Sequence, residues 1–371
     1  MLLTSRPSVG KEELSQIGKV LDSGWLGMGS LVFEFENKLK EFLGAKHVIA
    51  VNTGTSALHI SLDALDLKPT DEVIVPSLTY VSSIQAIVAS RAKPVFCEVC
   101  PDTLNIDIND MKRKITGRTR AVMPMHYSGL PCLMDEILKI TKSKNIKVVE
   151  DAAHAFGSYY KGKKIGSFGD ITCFSFDPIK NITCGEGGAV VTADDKLAEK
   201  IIMKRILGID KDTWHRYKNK RSWSYDVKVA GFRYHMSNIN AAIGIEQLNK
   251  FKKFIQRKKE IVKKYDQAFR DISQISLLTR DYKNTAPFNY IIKVKDSRDA
   301  LIDFLKTKGI EAGIHYIPNH LHSFFAPYRI KLPVTEKLYG EIVTLPLYYD
   351  LSSKDVNSVI KAVREFLKGK K

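Results

Sequence analysis

The feature that most constrains this chain is a rhythm between about residues 46 and 195. Short apolar runs alternate there with segments of helical spacing. "HVIAV" (47–51) precedes "TSALHISLDAL", and "EVIVP" (72–76) precedes "SSIQAIVAS". "RAVMPM" (120–125) precedes "MDEILKITKS", and "IKVVE" (146–150) leads into "DAAHAF". This alternation predicts an α/β fold, with a mostly parallel mixed sheet covered by helices. Sites in such sheets lie beyond the carboxyl ends of the strands. The residues just after each run therefore carry the functional information.

Downstream the pattern changes. In "KFKKFIQRKKEIVKKY", Phe251, Phe254, Ile255, Ile261, Val262 and Tyr265 fall on one helical face and lysines on the other. "NYIIKVK" and "IEAGIHYI" read as strands, and Ser297 as the cap of a helix that stops at Gly309. Ser352 and Asp355 form a capping-box pattern before a last amphipathic helix. The predicted organisation is a large α/β domain over 1–250, including an N-terminal arm, and a small α+β domain over 251–371.

Four post-strand stretches hold candidate chemistry. In "VNTGTSAL", Gly54, Thr55 and Ser56 open a helix, where backbone N–H groups and hydroxyls make either an ordinary N-cap or a phosphate cradle. It is not a Walker loop, since no Gly-Lys-Ser/Thr follows. "VPSLTY" places Tyr80 past a strand, either packed or stacked on a flat ligand. In "KVVEDAAHAF", Asp151 follows a strand buried on both faces and needs a cation or strong donor as partner. A structural Arg, a backbone cap or a protonated pyridine nitrogen would serve. His154 falls on the same side if the segment turns helical. In "CFSFDPIKNITCGEGG", Ser175 and Lys180 lie at and beyond a strand end. A partly desolvated lysine there has a lowered pKa and can condense with a carbonyl. Pyridoxal phosphate needs such a lysine, an acid for its ring nitrogen and a phosphate pocket, and here phosphate loop, aromatic, acid and lysine follow one another along the chain, each after a strand.

Other classes are disfavoured. The formal charge of +17 is spread along amphipathic segments, and no basic stripe is interleaved with aromatics, so nucleic acid is not an expected partner. No apolar run reaches membrane length, and the start "MLLTSRPSVGKEEL" lacks a secretion signal's apolar core, so a cytoplasmic protein is expected. There are five cysteines. Cys97 and Cys100 form one C-x-x-C without a second pair, in a strand-like run ending at Pro101. Neither a metal site nor a redox dithiol is expected.

Over nearly its whole length the sequence resembles the DegT-type sugar aminotransferases, fold-type I enzymes that use pyridoxal phosphate. The resemblance runs from "RPSVGKEEL" through "VNTGTSALHISL", "EDAAHAFGSYYKGKKIGSFGDITCFSFDPIKN" and "GEGGAVVT" to "MSNINAAIGIEQL", "GIHYIPNH" and "TLPLYYDLS". It implies that Lys180 is the Schiff-base lysine and general base, and that Asp151 is the partner of the pyridinium nitrogen. It also implies that Tyr80 stacks on the ring, that Gly54, Thr55, Ser56 and Ser175 hold the phosphate, and that His154 meets the ring hydroxyl. A homodimer with shared active sites is implied too. The loop 24–29, with Trp25, and the region of Arg233 would then come from the partner chain. Arg233 stands where an Asn is common, and Cys97 and Cys100 where acids are common. His315, Tyr316 and His320 would border the substrate or serve as strand and turn residues. The implied reaction moves an amino group from L-glutamate to a keto sugar, usually a nucleotide-linked one, and "MHYSG" resembles members that aminate C4, so a 4-keto group is expected. A C3-keto or non-nucleotide sugar, or a non-enzymatic regulator of the same fold, are the alternatives.

Overall fold

The computed structural model describes residues 1–210 and 225–369. A seven-stranded sheet is built, edge to edge, from β1 (His47–Val51), β9 (Gly188–Thr192), β8 (Ile171–Ser175), β5 (Lys147–Asp151), β4 (Thr119–Val122), β2 (Glu72–Pro76) and β3 (Lys93–Cys97). β9 runs antiparallel to both of its neighbours, and every other neighbouring pair is parallel. The short strands β6 (Tyr159–Tyr160) and β7 (Lys163–Lys164) form a separate hairpin.

Strand side chains alternate between two cores, one on each face. Ile49, Val51 and Val190 pack with Ala57, Leu58 and Ile60 of the helix Gly54–Asp63. Val48, Ala50, Ala189 and Val191 pack with Val32, Phe35 and Leu39 of the helix Ser30–Leu43. Burial of both faces explains why these strands read as unbroken apolar runs. It also aligns the strands that carry the candidate residues. β1, β2, β5 and β8 point the same way, so their carboxyl ends share one edge of the sheet.

A 32-residue helix, Asn238–Phe269, starts where the Ser237 side chain accepts a hydrogen bond from Asn240 N–H. Its N-terminal part, as far as Ile255, buries Ala241, Ile245, Phe251 and Ile255 in the core beneath the large sheet. Its second half buries Ile261, Val262, Tyr265 and Phe269 in another core. That core lies against an antiparallel sheet of β10 (Ile275–Leu277), β11 (Tyr290–Val294) and β12 (Ile342–Leu345), ordered β10-β11-β12. The final helix, Ser353–Lys368, carries the predicted capping box.

Two local expectations differ. Ser297 precedes the helix Arg298–Thr307, but its side chain makes no capping bond and turns back to the Lys295 carbonyl. "IEAGIHYI" forms only isolated bridges, Ile310 to Leu2 and Gly313 to Thr344. The chain leaves strand geometry there, and the next two side chains after Ile314 reach the cavity described below. No described helix is long and apolar enough to cross a membrane.

Candidate active site

A cavity of about 490 Å³ opens at the carboxyl edge of the large sheet. Gly54, Thr55, Tyr80, Asp151, His154, Ser175, Lys180, His315 and Tyr316 line it. Residues from five separate stretches of sequence thus meet in one place, and the parallel strand order is what brings most of them there.

The helix Gly54–Asp63 begins at this edge. Thr53 is its N-cap, and the Thr53 hydroxyl accepts from Ser56 N–H at 2.9 Å. Gly54 presses against the end of β8: a Cβ there would lie 2.6 Å from Ser175 Cβ. No larger residue fits without moving the loop off the strand. Thr55 is exposed and faces the cavity. Ser56 is buried, and its hydroxyl donates to Asn52 Oδ1 at 2.6 Å, outside the cavity lining.

Asp151 ends β5 and is only 3% exposed. Its carboxylate accepts from Ser83 Oγ at 2.6 Å and from Ala153 N–H at 3.1 Å, and neither donor is a cation. Because the Ser83 proton points to Asp151, Thr79 Oγ, 2.9 Å away, must donate to Ser83. Burial raises the Asp151 pKa against these hydrogen bonds. A buried anion with only neutral donors fits a cationic ligand.

Lys180 sits in a turn after β8, its N–H bonded to the Asp177 carbonyl. Its Nζ lies 4.3 Å from the centre of the Phe288 ring. Burial lowers its pKa to about 8, with Asp177 and Asp151 opposing. Part of the population therefore carries a free amine near neutral pH.

The segment after Asp151 turns without becoming a helix, yet His154 still reaches the cavity. Its ring stacks on Phe288, with centroids 3.9 Å apart and planes at 21°. Nε2 pairs with Tyr316 Oη at 2.8 Å, while the buried Nδ1 has no hydrogen-bond partner among the described residues. Burial, aided by the Lys180 charge, drives the His154 pKa well below its ordinary value, so the imidazole is neutral. His315 bonds Thr344 Oγ1 at 2.9 Å, and burial lowers its pKa to about 4. Tyr80 is half exposed, its ring 5.5 Å from that of Tyr316.

Besides Ser56, three expected residues lie elsewhere. His320 is buried, bonded to Ser77 Oγ at 2.7 Å and Glu336 Oε1 at 3.2 Å, and does not line the cavity. Trp25 donates through Nε1 to the Met28 carbonyl and packs against Gly29, outside this cavity. Arg233 is exposed, its backbone bridging Ile206, also outside it. Other functional candidates were not anticipated. Asp177 and Glu186 line the cavity, and Ser83 and Phe288 support it. Asp177 and Glu186 were readable as acids flanking Lys180 in "FDPIKNITCGEGG". Phe288 had no local signal.

The site fits pyridoxal phosphate on its own residues. A buried carboxylate without a cation suits a ring N–H, and an orphaned imidazole nitrogen suits a ring hydroxyl. The glycine-narrowed helix start beside Ser175 suits a phosphate.

Comparison with known proteins agrees. Residues 7–364 match the model of the DegT/DnrJ/EryC1/StrS aminotransferase family. The spore coat polysaccharide biosynthesis protein SpsC of Bacillus subtilis is 38% identical, covering 98% of this chain and 97% of that protein. PseC of Helicobacter pylori, an aminotransferase involved in pseudoaminic acid biosynthesis, superposes with a TM-score of 0.93 at 29% identity over 99% of each chain. Spr1654 of Streptococcus pneumoniae, solved in a PMP form, gives 0.93 at 28% identity over 99% of each chain, and its PLP form gives 0.91. Fold, cavity and sequence converge: the chain belongs to the DegT/DnrJ/EryC1/StrS aminotransferase family, whose enzymes depend on pyridoxal phosphate.

Proposed function

We propose that this chain transfers an amino group from L-glutamate to the 4-keto group of a nucleotide-linked sugar, in the cytoplasm, for a cell-surface polysaccharide or related glycan. The observation that carries the reading is the meeting of Lys180 and Asp151 in one cavity beside a helix start. The involvement of SpsC and PseC in polysaccharide and pseudoaminic acid biosynthesis supports a sugar as acceptor.

Bound pyridoxal phosphate supplies a carbonyl that condenses with amines and a ring that accepts electron density. The protein's residues do the rest. Thr55 and Ser175 hold the phosphate, with Gly54 allowing close approach. Ser56 contributes by fixing Asn52 and Thr53 around that loop. Asp151 holds a proton on the ring nitrogen, and Thr79 and Ser83 keep its carboxylate aimed. His154, neutral, meets the ring hydroxyl through Nδ1. Tyr80 covers the ring face. Lys180 Nζ would take up and return the proton of the reacting carbon, a task suited to an amine poised near neutral pH.

The cavity lining holds Asp151, Asp177 and Glu186 against one lysine. A phosphate and a dicarboxylate donor need more positive charge than that. We assign part of it to Arg233, and part of the enclosure to Trp25, from a second copy of the chain in a homodimer. His315 and Tyr316 border the sugar in this reading, and His320 anchors that segment from behind. We also propose the division into a large domain over 1–250 and a small domain over 251–371, a reading supported by the long helix passing from one core to the next.

Protein loaded with cofactor, given L-glutamate and a panel of 3- and 4-keto sugars with and without nucleotides, is assayed by mass spectrometry. Amination of a nucleotide-linked 4-keto sugar is expected. Turnover confined to free or 3-keto sugars would replace the acceptor named here. No amination in any arm would remove the function.

A further inference from the structure

Lys258 is a lysine the reaction does not use, and it is only 6% exposed. It lies in the part of the long helix between its two cores. Nζ donates to Asn181 Oδ1 at 3.0 Å and to the Phe288 carbonyl at 3.3 Å. Asn181 directly follows Lys180, and its amide reaches the Phe156 and Ala286 carbonyls at 3.4 and 3.3 Å. Phe288 is the ring under Lys180 Nζ and the ring on which His154 stacks. One amine therefore ties the turn carrying Lys180 to the platform that supports Lys180 and His154 together.

We propose that Lys258 is a positioning residue: through Asn181 and Phe288 it holds Lys180 and His154 in register and keeps water from the Lys180 turn. This rests on Lys180 being the reactive amine. Burial, then the nearby Lys180 charge, lowers the Lys258 pKa to about 7, which suits an amine whose two acceptors are neutral. Around Lys258 stand Lys180 and, lining the same crevice, Arg6 of the N-terminal segment with Tyr348 and Tyr349 after β12. On the cavity side Lys180 faces Asp151, Asp177, Glu186, His154 and His315. Burial is the dominant cause of the lowered Lys180 pKa. A loosened turn that admits water must raise it.

The test reads Lys180 directly, without turnover. The full chain, stripped of cofactor, is trace-labelled with acetic anhydride across a pH series, and modification of Lys180 is quantified by peptide mass spectrometry. In the unaltered protein the midpoint is expected near 8. Lys258→Met and Asn181→Ala are each expected to raise it by about one pH unit. The double variant is expected to go no further than the larger single shift, because the two residues act as one clip. Asn181→Ala carries the test alone if Lys258→Met does not fold. An unmoved midpoint with a lowered melting temperature would make Lys258 merely structural and overturn the proposal. Additive shifts would overturn the single-clip arrangement. A midpoint near the ordinary 10.5 in the unaltered protein would overturn it as well, since there would be no depressed amine to protect. Failure of the amination assay with these shifts present would sink the assigned reaction and leave the positioning role standing.

Discussion

Two buried carboxylates show how differently one functional group is used in the two halves of the molecule. Asp266, on the second half of the long helix, is 4% exposed. It accepts from Arg280 Nη1 at 3.0 Å, Tyr282 Oη at 2.6 Å and Tyr290 Oη at 2.7 Å. The Arg280 side chain is itself 4% exposed. The charge is matched, and the hub ties the helix to β11. Asp151, just as buried, has two neutral donors and no cation among them. A carboxylate completed by the protein holds the fold together. One left short of a positive partner is poised for a ligand that brings it.

The strongest challenge to this contrast is Lys180→Ala. It should leave the fold intact and cut turnover by roughly 10²–10⁴-fold from lost proton transfer alone. It should also abolish the borohydride-trappable visible absorbance of the loaded enzyme. Retained absorbance and trapping would show that another amine does the work. Next is Asp266→Ala, which strands the Arg280 charge in the core. Removing one partner of such a pair costs about 3–5 kcal/mol. Urea unfolding should show that loss, while turnover per folded molecule stays near the original. A large fall in turnover without a loss of stability would erase the distinction between the two carboxylates.

Asp151→Asn should do the reverse. A charge-assisted hydrogen bond is worth roughly 1.5–3 kcal/mol, so turnover should fall about ten- to a hundredfold. Stability of the cofactor-free protein should rise at neutral pH. The sign follows from the raised pKa of Asp151 in the folded chain, above its ordinary 3.8. The folded state holds that proton more tightly than the unfolded state. Its contribution is therefore complete below the unfolded value and fades as pH rises through the folded one. The Asn variant has nothing to lose in that window. Urea melts from acid to neutral pH should converge at low pH and separate above it, with the variant the more stable.

The sequence made Asp151 legible and hid Asp266. Asp151, Lys180, Tyr80 and Gly54–Thr55 follow strands that run the same way, so position in the alternating pattern was enough to gather them. Asp266 sits in a helix with ten other charged residues, and its partners are an arginine and two tyrosines that only tertiary folding brings near. Phe288 and Lys258 were silent for the same reason, since no local pattern reports a contact between a helix and a strand end across the chain. Ser56 and His320 were legible as residue types but not as directions. A hydroxyl at a helix start can face out, as Thr55 does, or fold back onto Asn52. The antiparallel β9 lay beyond pattern reading as well, because a strand buried on both faces looks alike in either direction.

The smallest effects test the comparison most finely, because in each hub a single hydroxyl donor can be deleted while the rest stay in place. Tyr282→Phe removes one of three donors from Asp266 and leaves Arg280 in place. It should cost about 0.5–1.5 kcal/mol, toward the low end because Tyr282 is 37% exposed, and should leave turnover unchanged. Ser83→Ala removes the shorter of the two bonds to Asp151, the one that most opposes the effect of burial. Without it the Asp151 pKa climbs further and the anion is harder to hold. The folded chain should lose little stability, since the acid can take up a proton. Cofactor affinity should fall several-fold, more at pH 6 than at pH 8, because at lower pH more of the carboxyl is protonated before the ligand arrives. Equilibrium dialysis of pyridoxal phosphate at the two pH values measures this. An affinity loss equal at both pH values would mean that Ser83 contributes shape alone, and that the ionisation of Asp151 does not decide what the cavity holds.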